Sequence, residues 1–98
     1  MAFAKRGRVE IIYDILCLCQ RPAQKTHILF KCNLSFNQLQ KYLKYLVSHD
    51  LISSYNGAQR ELYKTTDKGK KFIEGYESLA NHLVDRTRYM LGRTLVRG

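Results

Sequence analysis

The chain has 98 residues, enough for one domain with a small core and too few for two. A hydrophobic fraction of 45%, with 11% aromatic and 26% charged residues, is a globular composition and excludes wholesale disorder. Lys and Arg number 17 against 8 Asp and Glu, a net charge of +9 that calls for an anionic partner, nucleic acid first and anionic membrane second.

At the N-terminus, Lys5, Arg6 and Arg8 form a basic arm. No apolar segment long enough for a secretory signal follows it, and no apolar run approaches the roughly 18–20 residues of a membrane span. The expectation is a cytoplasmic, nucleoid-associated protein with no membrane partner. Val9, Ile12, Ile15, Leu16 and Cys19 recur at helical spacing, which predicts a first helix from Arg8 to Cys19 with that stripe facing the core. The sole proline, Pro22, breaks the helical pattern. Thr26 is then the expected cap of a short second helix over His27 to Cys32.

Ser35 and Gln38 match a capping box, and Leu34 with Leu39 matches a hydrophobic staple. A third helix is therefore predicted from Phe36 to about His49, two residues and a cap beyond the second. Such a tight link is a helix-turn-helix signal. Leu51–Tyr55 and Leu62–Thr65 are β-prone, and the segment between them opens on the hairpin dipeptide Asn56-Gly57. Thr66 or Asp67 opens a last helix of about 25 residues with the stripe Phe72, Tyr76, Leu79, Leu83, Met90. Three helices, a hairpin and a closing helix, in that order, make an α+β, mostly helical winged helix-turn-helix. Its expected divisions are a basic arm over 1–7, a winged-helix domain over 8–71 and a C-terminal dimerisation helix over 72–98.

The chain resembles the archaeal winged-helix DNA-binding proteins of the Sulfolobus ten-kilodalton chromatin-protein type, and related archaeal winged-helix transcriptional regulators. The resemblance is carried by Arg8-Val-Glu-Ile-Ile-Tyr-Asp-Ile-Leu, by Lys25-Thr-His-Ile-Leu-Phe-Lys-Cys-Asn-Leu-Ser-Phe and by Gln38-Leu-Gln-Lys-Tyr-Leu. His49-Asp-Leu-Ile and Tyr63-Lys-Thr-Thr-Asp-Lys-Gly-Lys-Lys-Phe continue it. It implies double-stranded DNA binding and dimerisation through the long C-terminal helix. In this chain Arg86 and Arg93 interrupt that helix's apolar seam.

At about 100° per residue, Phe36, Leu39, Leu43, Leu46 and Val47 of the third helix point to the core. Asn37, Lys41, Tyr45 and Ser48 point away, with Gln38 and Lys44 at the edges. In a helix-turn-helix this helix enters the major groove. Asn37 and Gln38 amides suit adenine, Lys41 a base or phosphate, and Lys44 and Tyr45 a phosphate. Ser35 opens the same helix and is counted with the DNA-facing residues. Lys25 and Thr26 are candidates for a phosphate at the start of the second helix. Arg60, between the strands, is a candidate for DNA backbone or minor groove. Phe72, Tyr76, Leu79, Leu83 and Met90 are the expected dimer contacts, packed so that acidic and basic halves of two helices meet.

The sequence contains no Gly-rich phosphate loop, HExxH or GxSxG motif, so no enzyme is expected. The 3 cysteines show no metal-type spacing, and neither a metal nor a cofactor is expected. The leading function is a dimeric DNA-binding regulator or chromatin protein. The alternative is a winged-helix adaptor for protein–protein interaction in a larger complex.

Overall fold

A computed structural model describes the backbone of residues 7–57 and 60–91, and side chains as far as residue 81. The elements are α1 (Arg8–Leu18), α2 (Lys25–Lys31), α3 (Phe36–Ser48), β1 (Ile52–Asn56), β2 (Glu61–Thr65) and α4 (Asp67–Leu91). This is the winged helix-turn-helix order expected of the chain.

The stripe of α1 is shifted from the expected one. Ile11, Ile15, Leu16 and Cys19 are buried, whereas Val9 is exposed and Ile12 only half-buried. Adjacent Ile11 and Ile12 fit a helical period equally well. α4 packs against α1 with the Tyr76 ring over Tyr13, centroids 4.5 Å apart. The Tyr13 hydroxyl also donates to Glu77 Oε2 at 2.7 Å.

The start of α2 is also displaced. The helix opens at Lys25 with Gln24 as a cap that makes no side-chain hydrogen bond, so Thr26 is not the cap. The reason lies one residue upstream. Ala23 is bridged to Tyr63, its N–H donating to the Tyr63 carbonyl at 3.0 Å and its carbonyl accepting from the Tyr63 N–H at 2.8 Å. Chain held flat at Ala23 must turn into the helix immediately.

The helix-turn-helix forms as its local chemistry dictates. At the end of α2, Asn33 adopts φ 55, its N–H reaches the Phe30 carbonyl at 3.3 Å, and the Leu34 N–H reaches the Leu29 carbonyl at 3.0 Å. This pair of bonds is a Schellman motif with Asn in the left-handed position that glycine usually takes. Ser35 then starts α3. Its hydroxyl accepts from the Gln38 N–H at 3.1 Å, and its own N–H donates to Gln38 Oε1 at 3.0 Å. Leu34 and Leu39 are both buried beside this cap. The same Schellman pattern closes α3. Asp50 adopts φ 61, and the Leu51 N–H reaches the Leu46 carbonyl at 2.9 Å.

β1 and β2 pair antiparallel from Ile52↔Thr65 to Asn56↔Glu61. Asn56 is therefore a ladder residue and not the first residue of the connection. The connection runs over 57–60, closed by the Gly57 N–H donating to the Arg60 carbonyl at 2.8 Å. β2 also ties off α1. The buried Thr65 donates its N–H to the Cys19 carbonyl at 2.8 Å and its hydroxyl to the Leu16 carbonyl at 2.7 Å.

Thr66 caps α4, accepting from the Gly69 N–H at 3.0 Å. It also binds α4 to the end of α3 through the Asp50 carbonyl at 2.6 Å, while Lys68 Nζ donates to the His49 carbonyl at 2.9 Å. Gly69 allows this approach, since a Cβ there would collide with the Leu51 carbonyl oxygen and the Thr65 methyl. Ile73, outside the expected stripe, is the buried apolar side chain of α4 among the described residues, with Phe72 packed against the core beside it.

Candidate nucleic-acid interface

The buried stripe of α3 is Leu39, Tyr42, Leu43 and Leu46. Phe36, 60% exposed, and Val47, 38% exposed, were expected in the core and lie outside it. Tyr42 takes the central place because it falls three residues from Leu39 and four from Leu46, so its ring continues the stripe that Phe36 and Val47 only flank. Asn37, Lys41, Lys44 and Ser48 form the ridge diametrically opposite, and all four are exposed. The segment 32–49 carries Lys41 and Lys44 and no carboxylate.

Each flank of this ridge is concave. On the wing side a groove of about 340 Å³ is lined by Lys25, Gln40, Leu43, Lys44, Val47, Ser54, Glu61 and Tyr63. Its floor is a polar cluster made by the hairpin register. Ser54 pairs with Tyr63, which puts Glu61 diagonally across on the same face. The Ser54 hydroxyl donates to Glu61 Oε2. That bond, then the Tyr63 hydroxyl and the charge of Lys25, hold the Glu61 carboxyl below the usual carboxylate range. Burial, reinforced by the Glu61 charge, pushes the Tyr63 phenol up to about 12, so it stays a neutral donor. On the other flank a cleft of about 210 Å³ is lined by Arg8, Lys41, Tyr42 and Tyr45.

The sequence-predicted residues divide accordingly. Lys25, Lys41, Lys44 and Asn37 share the α3 surface and its grooves. Gln38 and Ser35 are tied to each other in the cap, though both are exposed. Tyr45 stacks on His49, centroids 4.2 Å apart, at the rim of the second cleft. Thr26 is exposed on the first turn of α2, and Arg60 is exposed in the wing turn. Lys5 and Arg6 lie outside the described residues. On α4, Phe72 and Tyr76 pack toward the domain and Leu79 is 59% exposed, while the side chains of Leu83 and Met90 lie outside the described residues.

Sequence reasoning missed Glu61, Ser54 and Tyr63. Their signal is the strand register, which the Asn56-Gly57 dipeptide misplaces by moving Asn56 out of the ladder. It also missed Gln40, which the helical wheel puts beside Lys44. Among the described residues no group of three or more His, Cys, Asp or Glu is disposed to hold a metal. Burial pushes the Cys19 thiol up to about 12, with the nearby Cys32 adding to the shift, so Cys19 is no thiolate nucleophile at neutral pH. Nor is any described helix long and apolar enough to cross a membrane.

The winged helix-turn-helix family model matches residues 5–83. An uncharacterized protein of Methanocaldococcus jannaschii is 33% identical over 76 residues, spanning 76% of this chain and 71% of its own length. A second protein of that organism is 29% identical over 76 residues, which are 34% of its length. Among solved structures, Sso10a-2, a DNA-binding protein from Sulfolobus solfataricus, superposes with a TM-score of 0.71 at 28% identity, over 92% of this chain and 100% of that one. MepR, a transcription regulator from Staphylococcus aureus, superposes with a TM-score of 0.73 at 17% identity, over 84% of this chain and 62% of that one, a likeness of fold. The chain belongs to the winged helix-turn-helix family, with archaeal relatives.

Proposed function

We propose that the protein binds double-stranded DNA, with α3 in the major groove, and regulates transcription or compacts DNA as a homodimer. One feature supports this most: the outward ridge of α3 presents an amide, two lysines and a hydroxyl, with no carboxylate in the segment. A surface of that kind is costly to leave unpaired in a protein of net charge +9 and matches the acceptors of base edges and phosphates. Sso10a-2, a DNA-binding protein, shares 28% identity over its whole length.

In this arrangement Asn37 reads a base, Lys41 a base or phosphate, and Lys25, Lys44 and Tyr45 hold backbone. Thr26, Ser35 and Gln38 border the contact, and Arg60 carries the wing to the flanking backbone or minor groove. Leu79, exposed on α4 beyond the core, extends toward Leu83 and Met90 as the seam between two copies, with Phe72 and Tyr76 at the domain end. That seam predicts a dimer by sedimentation at tens of micromolar, and a species of only 11.5 kDa would remove it.

Titration with a random duplex at several salt concentrations tests the DNA reading. Binding at low salt with a steep log–log salt slope is expected, since each phosphate contact contributes roughly −0.9 to that slope. Lys41→Ala weakens binding, and Asn37→Ala relaxes preference at one base pair by about 1–3 kcal/mol. Absence of binding at low salt overturns the proposal. Selection from random DNA then separates a regulator, with a sharp motif, from a chromatin protein, with a flat one.

A further inference from the structure

The cleft between the start of α1 and the middle of α3 differs in kind from the groove on the wing side. The described residues that line it are two cations, Arg8 and Lys41, and two phenols, Tyr42 and Tyr45. The wing-side groove, by contrast, contains the Glu61 carboxylate. Neither Arg8 nor Lys41 has a side-chain hydrogen bond or an ion pair among the described residues. Tyr42 is only 8% exposed, with its ring in the core, yet its hydroxyl has no hydrogen-bond partner among the described residues. A hydroxyl that the described residues leave without a partner is a donor available to an acceptor from outside the chain.

We propose that this cleft is a phosphate site, taking one phosphodiester of the DNA strand that runs along the α1 side of the major groove. Arg8 supplies the planar guanidinium suited to two phosphate oxygens, Lys41 the second positive charge, and the Tyr42 hydroxyl a donor. The inference rests on the DNA reading above and deepens it. The major groove is about 12 Å wide, little more than an α-helix with its side chains, so both backbones lie against the flanks of α3. Lys25 and Lys44 stand on one flank. Arg8 and Lys41 stand on the other. Arg8 thereby leaves the basic arm and becomes part of the folded interface, fixed as the first residue of α1.

Arg8→Ala and Tyr42→Phe test the site. In duplex titrations Arg8→Ala is expected to make the salt slope shallower by about 1. Tyr42→Phe is expected to weaken binding about fivefold for every sequence with the slope unchanged. Its thermal midpoint is expected at or above that of the unsubstituted protein, because the hydroxyl has no partner among the described residues. Wild-type affinity and slope in both variants overturn the site, as does a lowered midpoint in Tyr42→Phe. Should the unsubstituted protein fail to bind duplex at low salt, the DNA reading falls and the site is judged separately by NMR titration with inorganic phosphate. Shifts at Arg8 and Lys41 that Tyr42→Phe weakens support it; no shift overturns it.

Discussion

Thr65 is 3% exposed and joins the end of α1 to β2 through two bonds to the Cys19 and Leu16 carbonyls. Those carbonyls belong to the last turn of a helix, where intrahelical donors run out, so a β-strand residue does the work of a C-cap. Thr65→Val keeps the shape and removes the hydroxyl. It leaves the Leu16 carbonyl without that donor and is expected to cost about 1–3 kcal/mol, read as a lower urea midpoint at unchanged m-value. Thr65→Ser keeps the hydroxyl and is expected to cost less. Equal midpoints for Thr65→Val and the unsubstituted protein would show that the bond contributes nothing. The same scale explains the polar floor of the wing groove. Glu61 draws donors from Ser54 and Tyr63, and the charge of Lys25 on the same groove adds to the lowering of its carboxyl.

At the scale of elements, the helix-turn-helix is built from two local devices in succession, a Schellman stop and a capping box, within the residues Asn33 to Gln38. Both act over a few residues and need no tertiary partner, which is why the start of α3 was readable from Ser35 and Gln38. Ser35→Ala removes the hydroxyl that accepts from the Gln38 N–H. It is expected to cost about 1 kcal/mol, and Ser35→Gly only a few tenths. In a domain of this size 1 kcal/mol lowers the thermal midpoint by roughly 4–8 °C. A midpoint unmoved by Ser35→Ala would mean that packing of Leu34 and Leu39 alone fixes the helix start. α2 contrasts with α3, because its boundary is set by the Ala23 bridge to Tyr63, a contact forty residues away in sequence.

For the whole molecule, α4 is a strut of 25 residues, about 37 Å at 1.5 Å per residue, rooted in the core by Ile73 and in the α3 terminus by Thr66 and Lys68. The end of α1, the wing and the contact of α1 with α4 carry the groups whose protonation matters to stability. Burial raises Cys19 from 9.0 and Tyr63 from 10.0, each to about 12. The Tyr13 phenol also lies above its ordinary value, chiefly through its bond to Glu77. Raised values in the folded state mean that the unfolded chain loses these protons first. Stability from these groups is therefore complete below pH 9 and falls between pH 9 and 12. Urea midpoints measured across that range check it. Tyr63→Phe is expected to flatten the loss above pH 10, and an unchanged alkaline slope in that variant would exclude Tyr63 as a contributor.

Local chemistry in the sequence determined the element order, the capping box of α3, the hairpin and the opening of α4 at Thr66 or Asp67, because periodicity, caps and turn residues act within a few positions. Net charge and the lysines of α3 likewise pointed to an anionic partner without any knowledge of packing. Tertiary structure alone decided which of two adjacent isoleucines faces the core of α1 and that α2 starts at Lys25, whereas the place of Tyr42 in the buried stripe of α3 lay in its spacing from Leu39 and Leu46. It also brought Arg8 beside Lys41, and Ser54 and Glu61 beside Lys25. Those choices depend on which surface each helix or strand meets, and that surface comes from residues distant in the chain.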